Sequence, residues 1–290
     1  MKKLLLIILM LFIVQPVRAY DYAQMCANTP YPVSNKFSQL VSNATGMNFL
    51  LTQVVEAQIQ KQLSKELNSK FKVKIKPYGA KNFIDGKFKS MELTSKKIIY
   101  GGLYISDFRA KTVCDFNHVV LKAKSKDILF PQNLLYNYSG IITSQDFQNT
   151  IMSKEYLNAL TKLNVTIGNK VIFKIFDPTA KIEGGKIKLS YKVMTPFSFL
   201  TEVSTVNLSA GLAIKNEKIV FSEIDLGSPN SRLNLSKMLP LLNRINPLSY
   251  EFKVTKTNNA TVKISEVKIV DSKILVNGVF IIPKNYAIKS

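Results

Sequence analysis

FKVKIKPY, residues 71–78, alternates lysine with apolar residues, placing Phe71, Val73 and Ile75 on one parity and Lys72, Lys74 and Lys76 on the other. Successive side chains of a β-strand point to opposite faces, so the pattern predicts a strand with one buried and one solvated side. Lysine on a sheet also guards against edge pairing with other chains, so a wet face accounts for the row without any binding role. KIKLSYKV (186–193) and EFKVTK (251–256) repeat the arrangement.

Just before this strand the period differs. In MNFLLTQVVEAQIQKQLSKELN (47–68) the residues Met47, Leu50, Leu51, Val54, Val55, Ile59, Leu63 and Leu67 recur at three- and four-residue steps, which predicts an amphipathic helix. Gln53, Gln60, Lys61 and Lys65 form its polar side, and Ser42, Asn43 or Thr45 could cap it. Such a helix packs on a sheet or lies on a membrane surface.

Period two then returns in GKFKSMELTSKKIIYGGLYISDFRAKTV (86–113) and FNHVVLKAKS (116–125). TSQDFQNTIMSKEYLNALTKL (143–163) is helical in spacing, with Thr143 or Ser144 as cap and Phe147, Ile151, Tyr156, Leu157 and Leu160 as apolar members. Strands dominate from Val165, interrupted by SRLNLSKMLPLLNRINPL (231–248), where Met238, Leu239, Leu242 and Ile245 share a helical face. IEGGKI (182–187), IKNEKI (214–219), IVDSKI (269–274) and LTSKKI (93–98) read as one recurring turn type, the mark of an antiparallel meander. The fold class is α+β, built on long antiparallel strands.

At the start, Lys2 and Lys3 precede an unbroken apolar run from Leu4 to Val14, followed by QPVRA. The run is too short to span a bilayer, and Val17 with Ala19 gives a small-residue cleavage pattern, so 1–19 reads as a secretory signal peptide. Residues 20–46 form an N-terminal segment and 47–290 a single α+β domain. The expected location is the periplasm or cell envelope, reached across the inner membrane.

The chain carries 40 Lys and Arg against 19 Asp and Glu, and without Lys2, Lys3 and Arg18 the formal net charge falls from +21 to +18. The excess is distributed along the whole chain. Nucleic acid, anionic lipid head groups and acidic glycans all attract such a protein, and export argues against nucleic acid.

Cys26 and Cys114 are the only cysteines. In an oxidising compartment a bridge could form, contributing roughly 4–5 kcal/mol through the loop it closes; two separate thiols fit the spacing equally well. The single histidine, His118, makes C-x-x-x-H with Cys114. On a strand those side chains share a face but stand about 13 Å apart, too far for a thiolate–imidazole pair. Asp107, Asp115 and Asp127 are scattered, and no nucleophile elbow, zinc motif or phosphate-binding glycine loop occurs. No catalytic residue, metal or cofactor is expected.

The order of an amphipathic helix, then GKFKSMELTSKKIIYGGLYISDFRAKTVCDFN (86–117), then the TSQDFQNTIMS helix resembles the LmeA-like phospholipid-binding family of exported bacterial proteins. GKFKSMELTSKKIIYGGLYIS, running into Gly101 and Gly102, is the most specific part, and the likeness extends from Met47 to Pro283. It implies a tubular, BPI-like lipid-binding architecture: a long curved antiparallel sheet wrapped around an amphipathic helix, with an apolar groove between them. It also implies binding or transfer of phospholipid, anionic species included, without catalysis.

Sheltering acyl chains requires apolar surface, at about 0.8 kcal/mol per methylene. The expected lining is Leu50, Val54, Ile59 and Leu63 from the first helix, Phe71, Val73 and Ile75 facing them, and Met238, Leu242 and Ile245 from the last helix. Lys61, Lys65, Lys72, Lys74 and Lys76 are the candidates for head groups or a membrane surface. The alternative reading is a structural or adhesion module whose sheet holds acidic glycan or a protein partner.

Overall fold

The structure, a computed structural model, describes residues 22–26, 31, 33, 35, 39–40, 46–121, 128–167, 170–194, 203–227, 245–248 and 261–288. The signal-peptide stretch, Met238 and Leu242 lie outside the described residues. The chain is α+β, mostly antiparallel sheet with few helices.

Helix α1 (Met47–Glu66) leads into β1 (Phe71–Pro77), a short helix α2 (Ala80–Ile84), β2 (Lys87–Tyr100) and β3 (Leu103–Thr112). Three short strands follow, β4 (Asn117–His118), β5 (Val120–Leu121) and β6 (Ile128–Phe130), before β7 (Leu134–Thr143). Helices α3 (Ser144–Ile151) and α4 (Lys154–Thr161) precede β8 (Val165–Ile167), β9 (Lys170–Glu183), β10 (Lys186–Met194), β11 (Val203–Lys215) and β12 (Lys218–Leu226). The last strands are β13 (Thr261–Val270), β14 (Lys273–Ile282) and β15 (Tyr286–Ile288). The central sheet runs β1-β2-β3-β7-β14-β13, with β4 paired to β2; a second sheet runs β12-β11-β10-β9-β8 and a small one β15-β6-β5.

β1 keeps the sequence alternation, with Phe71, Val73 and Ile75 buried and Lys72, Lys74 and Lys76 exposed. Three of the four recurring turns are two-residue hairpins, formed at Gly184–Gly185, Asn216–Glu217 and Asp271–Ser272, all with positive φ. LTSKKI is a correction: it lies inside β2, and the chain turns instead at Gly101–Gly102. A glycine pair takes positive φ without steric cost, so the strand runs on until it reaches one. The predicted helix 143–163 is also two helices. Thr143 caps the first in a reciprocal box with Asp146, and Ser153 caps the second through Tyr156 N; the fresh cap at Ser153 restarts the backbone.

One face of the central sheet carries two apolar clusters. Under α1, Val73, Ile75, Met91, Leu134 and Tyr136 meet Leu51, Val55, Ile59 and Leu63. Toward the second sheet, Ile142 and Ile274 meet Phe147, Ile151, Tyr156 and Leu160 of α3 and α4 and Ile187, Leu189 and Leu208 of the second sheet. Tyr138 packs against both. On the opposite face Leu135, Val279 and Ile281 are covered by Tyr22 and Met25 of a 3-10 turn (Tyr22–Met25), which the Cys26–Cys114 disulfide holds in place with Cα atoms 5.6 Å apart. The bridge that the spacing left open is thus formed.

Strands bend at acidic bulges. Asp107 in β3, Asp177 in β9 and Glu223 in β12 all have positive φ and sit at register shifts. Lys96 binds Asp107 at 2.5 Å and Lys192 binds Asp177 at 2.8 Å from the neighbouring strand. A further shift in β13, between Ile264 and Glu266, faces Gly278 of β14. There a Cβ would overlap Lys263 O and come 2.7 Å from the Tyr138 hydroxyl.

Two open strand edges, that of β1 and that of the part of β9 beyond its pairing with β8, are sealed by polar side chains of segments that precede them. Glu56 accepts the Ile75 N–H at 2.6 Å and Ser64 Oγ the Phe71 N–H at 3.2 Å. Ser144 Oγ accepts Ile182 N–H, Gln148 accepts Ala180 N–H and Asn164 accepts Ile175 N–H, at 3.1, 2.7 and 3.0 Å. These side chains satisfy amides that a neighbouring strand would otherwise take.

Glu56→Ala and Gln148→Ala should each lose about 1–3 kcal/mol in urea unfolding, since a strand amide loses its acceptor, whereas Glu92→Ala at an exposed site should stay within about 0.5 kcal/mol. Gly278→Ala should cost about 1–3 kcal/mol through overpacking at the bulge, and Gly227→Ala, whose Cβ meets only an ordinary contact at 3.7 Å, should cost much less.

Candidate functional site

The residues expected to line one apolar wall do not share a surface. Ile59 and Leu63 face the sheet together with Leu51 and Val55, while Leu50 and Val54 point outward and are exposed. At 100° per residue the apolar positions of α1 fill two faces, and the sheet takes only one of them. The buried side even carries Asn48 and Thr52. Phe71, Val73 and Ile75 are buried, the latter two in the cluster under α1. Ile245 belongs to the other cluster, where its carbonyl accepts the Tyr156 hydroxyl at 2.6 Å. The expected wall is therefore split between two cores.

An apolar surface that the sequence reading missed lies on the inner face of β2, β3, β7 and β14. Leu93, Phe108, Tyr138, Phe280 and Ile282 are only half-buried there. Phe108 stacks with Tyr138 at 6.3 Å between ring centres, and Tyr136 with Phe280 at 6.4 Å. The bulge at Asp107 lets Ile105 and Phe108 both contribute to the inner clusters despite their odd and even positions. The aromatic alternation in LLYNYSGII was visible in sequence, but its face depended on register.

The lysines are also divided. Lys61 and Lys65 are exposed on α1, on the side away from the sheet, whereas Lys72, Lys74 and Lys76 are exposed on the opposite face of β1. Helix and sheet stand between the two sets, so they cannot converge on one head group. An open depression of about 440 Å³ on α1 is lined by Gln53, Glu56, Ala57, Gln60, Lys61 and Ser64, a polar rather than an apolar wall.

Nucleophilic chemistry finds little support among the described side chains. Cys114 is consumed by its disulfide. His118 places Nε2 3.1 Å from Asp85 O and its ring edge-on to Tyr31, and burial pulls its pKa below the ordinary histidine value. Asp107 is paired with Lys96, whose hydrogen bond holds its carboxyl below the usual range. Asp115 lies on the surface, and Asp127 lies outside the described residues. Among the described residues no three His, Cys, Asp or Glu side chains gather as metal ligands, and no helix is long and apolar enough to cross a membrane.

The lowered pKa of His118 has a definite sign. The unfolded chain binds the proton more readily, so this contribution to stability is complete above about pH 6.5 and is lost as pH falls through the folded value. Melting temperatures at about pH 7.5 and about pH 5.5 should differ less in His118→Gln than in the wild type; an unchanged difference would contradict the assignment.

No protein-family model, curated protein or solved structure matches this chain.

Proposed function

We propose that this is an exported, non-enzymatic phospholipid-binding or lipid-transfer protein of the bacterial cell envelope, with the tubular sheet-and-helix architecture that its sequence resemblance implies. The observation that supports this most is the mismatch between the sheet and its helix. Helix α1 packs along β1, while the apolar inner face continues across β2, β3, β7 and β14 to half-buried Phe108, Tyr138 and Phe280. Apolar surface that the protein's own side chains leave partly uncovered is what an acyl chain needs, at about 0.8 kcal/mol for each methylene removed from water. Of the acidic bulges, the one at Asp107 lies on a strand of this face, and a bulge bends the strand that carries it. In this reading Phe108, Tyr138 and Phe280 replace Leu50 and Val54 as lining residues.

The second reading, an envelope module that holds a protein or acidic glycan, draws on the polar depression along α1.

Native mass spectrometry of the mature protein purified from its own envelope should find phospholipid at a stoichiometric ratio. Phe108→Ser and Phe280→Ser should lower that occupancy, and Val203→Ser, at an exposed strand position, should not. A lipid-free mass, with no uptake from phosphatidylglycerol vesicles, would favour the second reading.

A further inference from the structure

We infer that the α1–α2 end of the protein is a docking face for an anionic lipid bilayer, with Leu50, Val54 and Ile84 entering the membrane and Lys61, Lys65 and Lys81 meeting its phosphates. Among the described residues, five large apolar side chains are more than 60 % exposed: Leu40, Phe49, Leu50, Val54 and Ile84, at 67, 64, 64, 66 and 72 %. Leu50 and Val54 belong to the second apolar face of α1 described above, Phe49 lies on the Glu56 side of the same helix, and Ile84 sits on α2, which packs against α1. Leu40 precedes α1 in the chain. The other exposed apolar residues, Met152, Val203, Ile214 and Val270, are less exposed and lie on different elements. An apolar concentration of this kind on a water-soluble surface marks a contact with something apolar.

Charge selects the occupant. On α1 the spacing 50, 54, 61, 65 brings Leu50, Val54, Lys61 and Lys65 into one stripe at 100° per residue, apolar toward the N-terminus and basic toward the C-terminus. Lys81 is exposed on α2. Glu56 is turned away from the stripe onto the Ile75 amide, and Asp85, next to Ile84, lies 3.9 Å from Lys87. Apolar side chains flanked by lysine match the layered chemistry of a bilayer, in which hydrocarbon lies beneath anionic head groups that attract each basic residue. At this same end Tyr78, two residues before α2, stacks on Phe116 at 5.6 Å, and Phe116 meets Tyr31 at 6.0 Å. Tyrosine is favoured where one end of a side chain is apolar and the other wet.

This surface is separate from the half-buried inner face proposed to hold cargo, although both inferences suppose that the protein meets lipid. The test is flotation of the full mature chain with vesicles of equal parts phosphatidylglycerol and phosphatidylcholine, against vesicles of phosphatidylcholine alone, with bound lipid measured on the same preparations. Binding should require phosphatidylglycerol and should weaken roughly tenfold or more in the Leu50→Ser, Val54→Ser double variant, whose sites are exposed and leave the core untouched. Lys61→Gln with Lys65→Gln should weaken it and flatten its salt dependence. Val203→Ser with Val270→Ser should leave it unchanged.

Absence of flotation, or flotation indifferent to Leu50 and Val54, overturns the docking face even if lipid cargo is found. Vesicle binding without cargo supports it and counts against the cargo reading alone. A concentration-dependent dimer abolished by the Leu50, Val54 variant would assign the face to a second copy and overturn the bilayer.

Discussion

A strand at the edge of a sheet carries amides that need acceptors, and the layout of this protein follows from how two such strands are closed. β1 follows a helix directly and β9 follows two helices and the short β8, and in both cases polar side chains from the segment before the strand accept its free N–H groups: Glu56 and Ser64 for β1, Ser144, Gln148 and Asn164 for β9. A helix fixed this way must lie along the strand, so its apolar side falls on the adjoining sheet face. Both cores form at these contacts. The same seal denies the edge to other chains, the task that sequence pattern alone assigns to lysine.

Bulges bend the strands locally. An acidic residue in a chain with twice as many basic ones appears at the bulge of β3, β9 and β12, and lysine from the neighbouring strand neutralises two of them. Aspartate is among the residues that tolerate positive φ. Gly140 and Gly278, on β7 and β14 at the middle of the inner face, leave room for the bend where a Cβ would press on Ile105 or Tyr138.

Charge and apolar exposure are then distributed by topology. The lysines of FKVKIK stand on the outer sheet face, those of α1 on the far side of the helix, and the exposed leucine, valine, isoleucine and phenylalanine collect where α1 meets α2. That separation leaves two surfaces of different kind, an inner one, aromatic and partly buried, and an outer one, aliphatic and basic, which the proposals above assign to acyl chains and to a bilayer.

Local pattern was enough to read the α+β class, the strand and its wet face at 71–77, the helix at 47–66 and three of the hairpins, because each follows from a period or turn chemistry contained within a few residues. It did not settle which side of α1 would be buried: two apolar faces are written into the helix, and only packing against β1 chose Leu51, Val55, Ile59 and Leu63 over Leu50 and Val54. Nor did it settle whether Cys26 would reach Cys114, that LTSKKI would run straight, or that Phe108, Tyr138 and Phe280 would share a surface. Each of these depends on register or on distance between segments far apart in the chain. Local periodicity carries neither, and the tertiary structure supplies both.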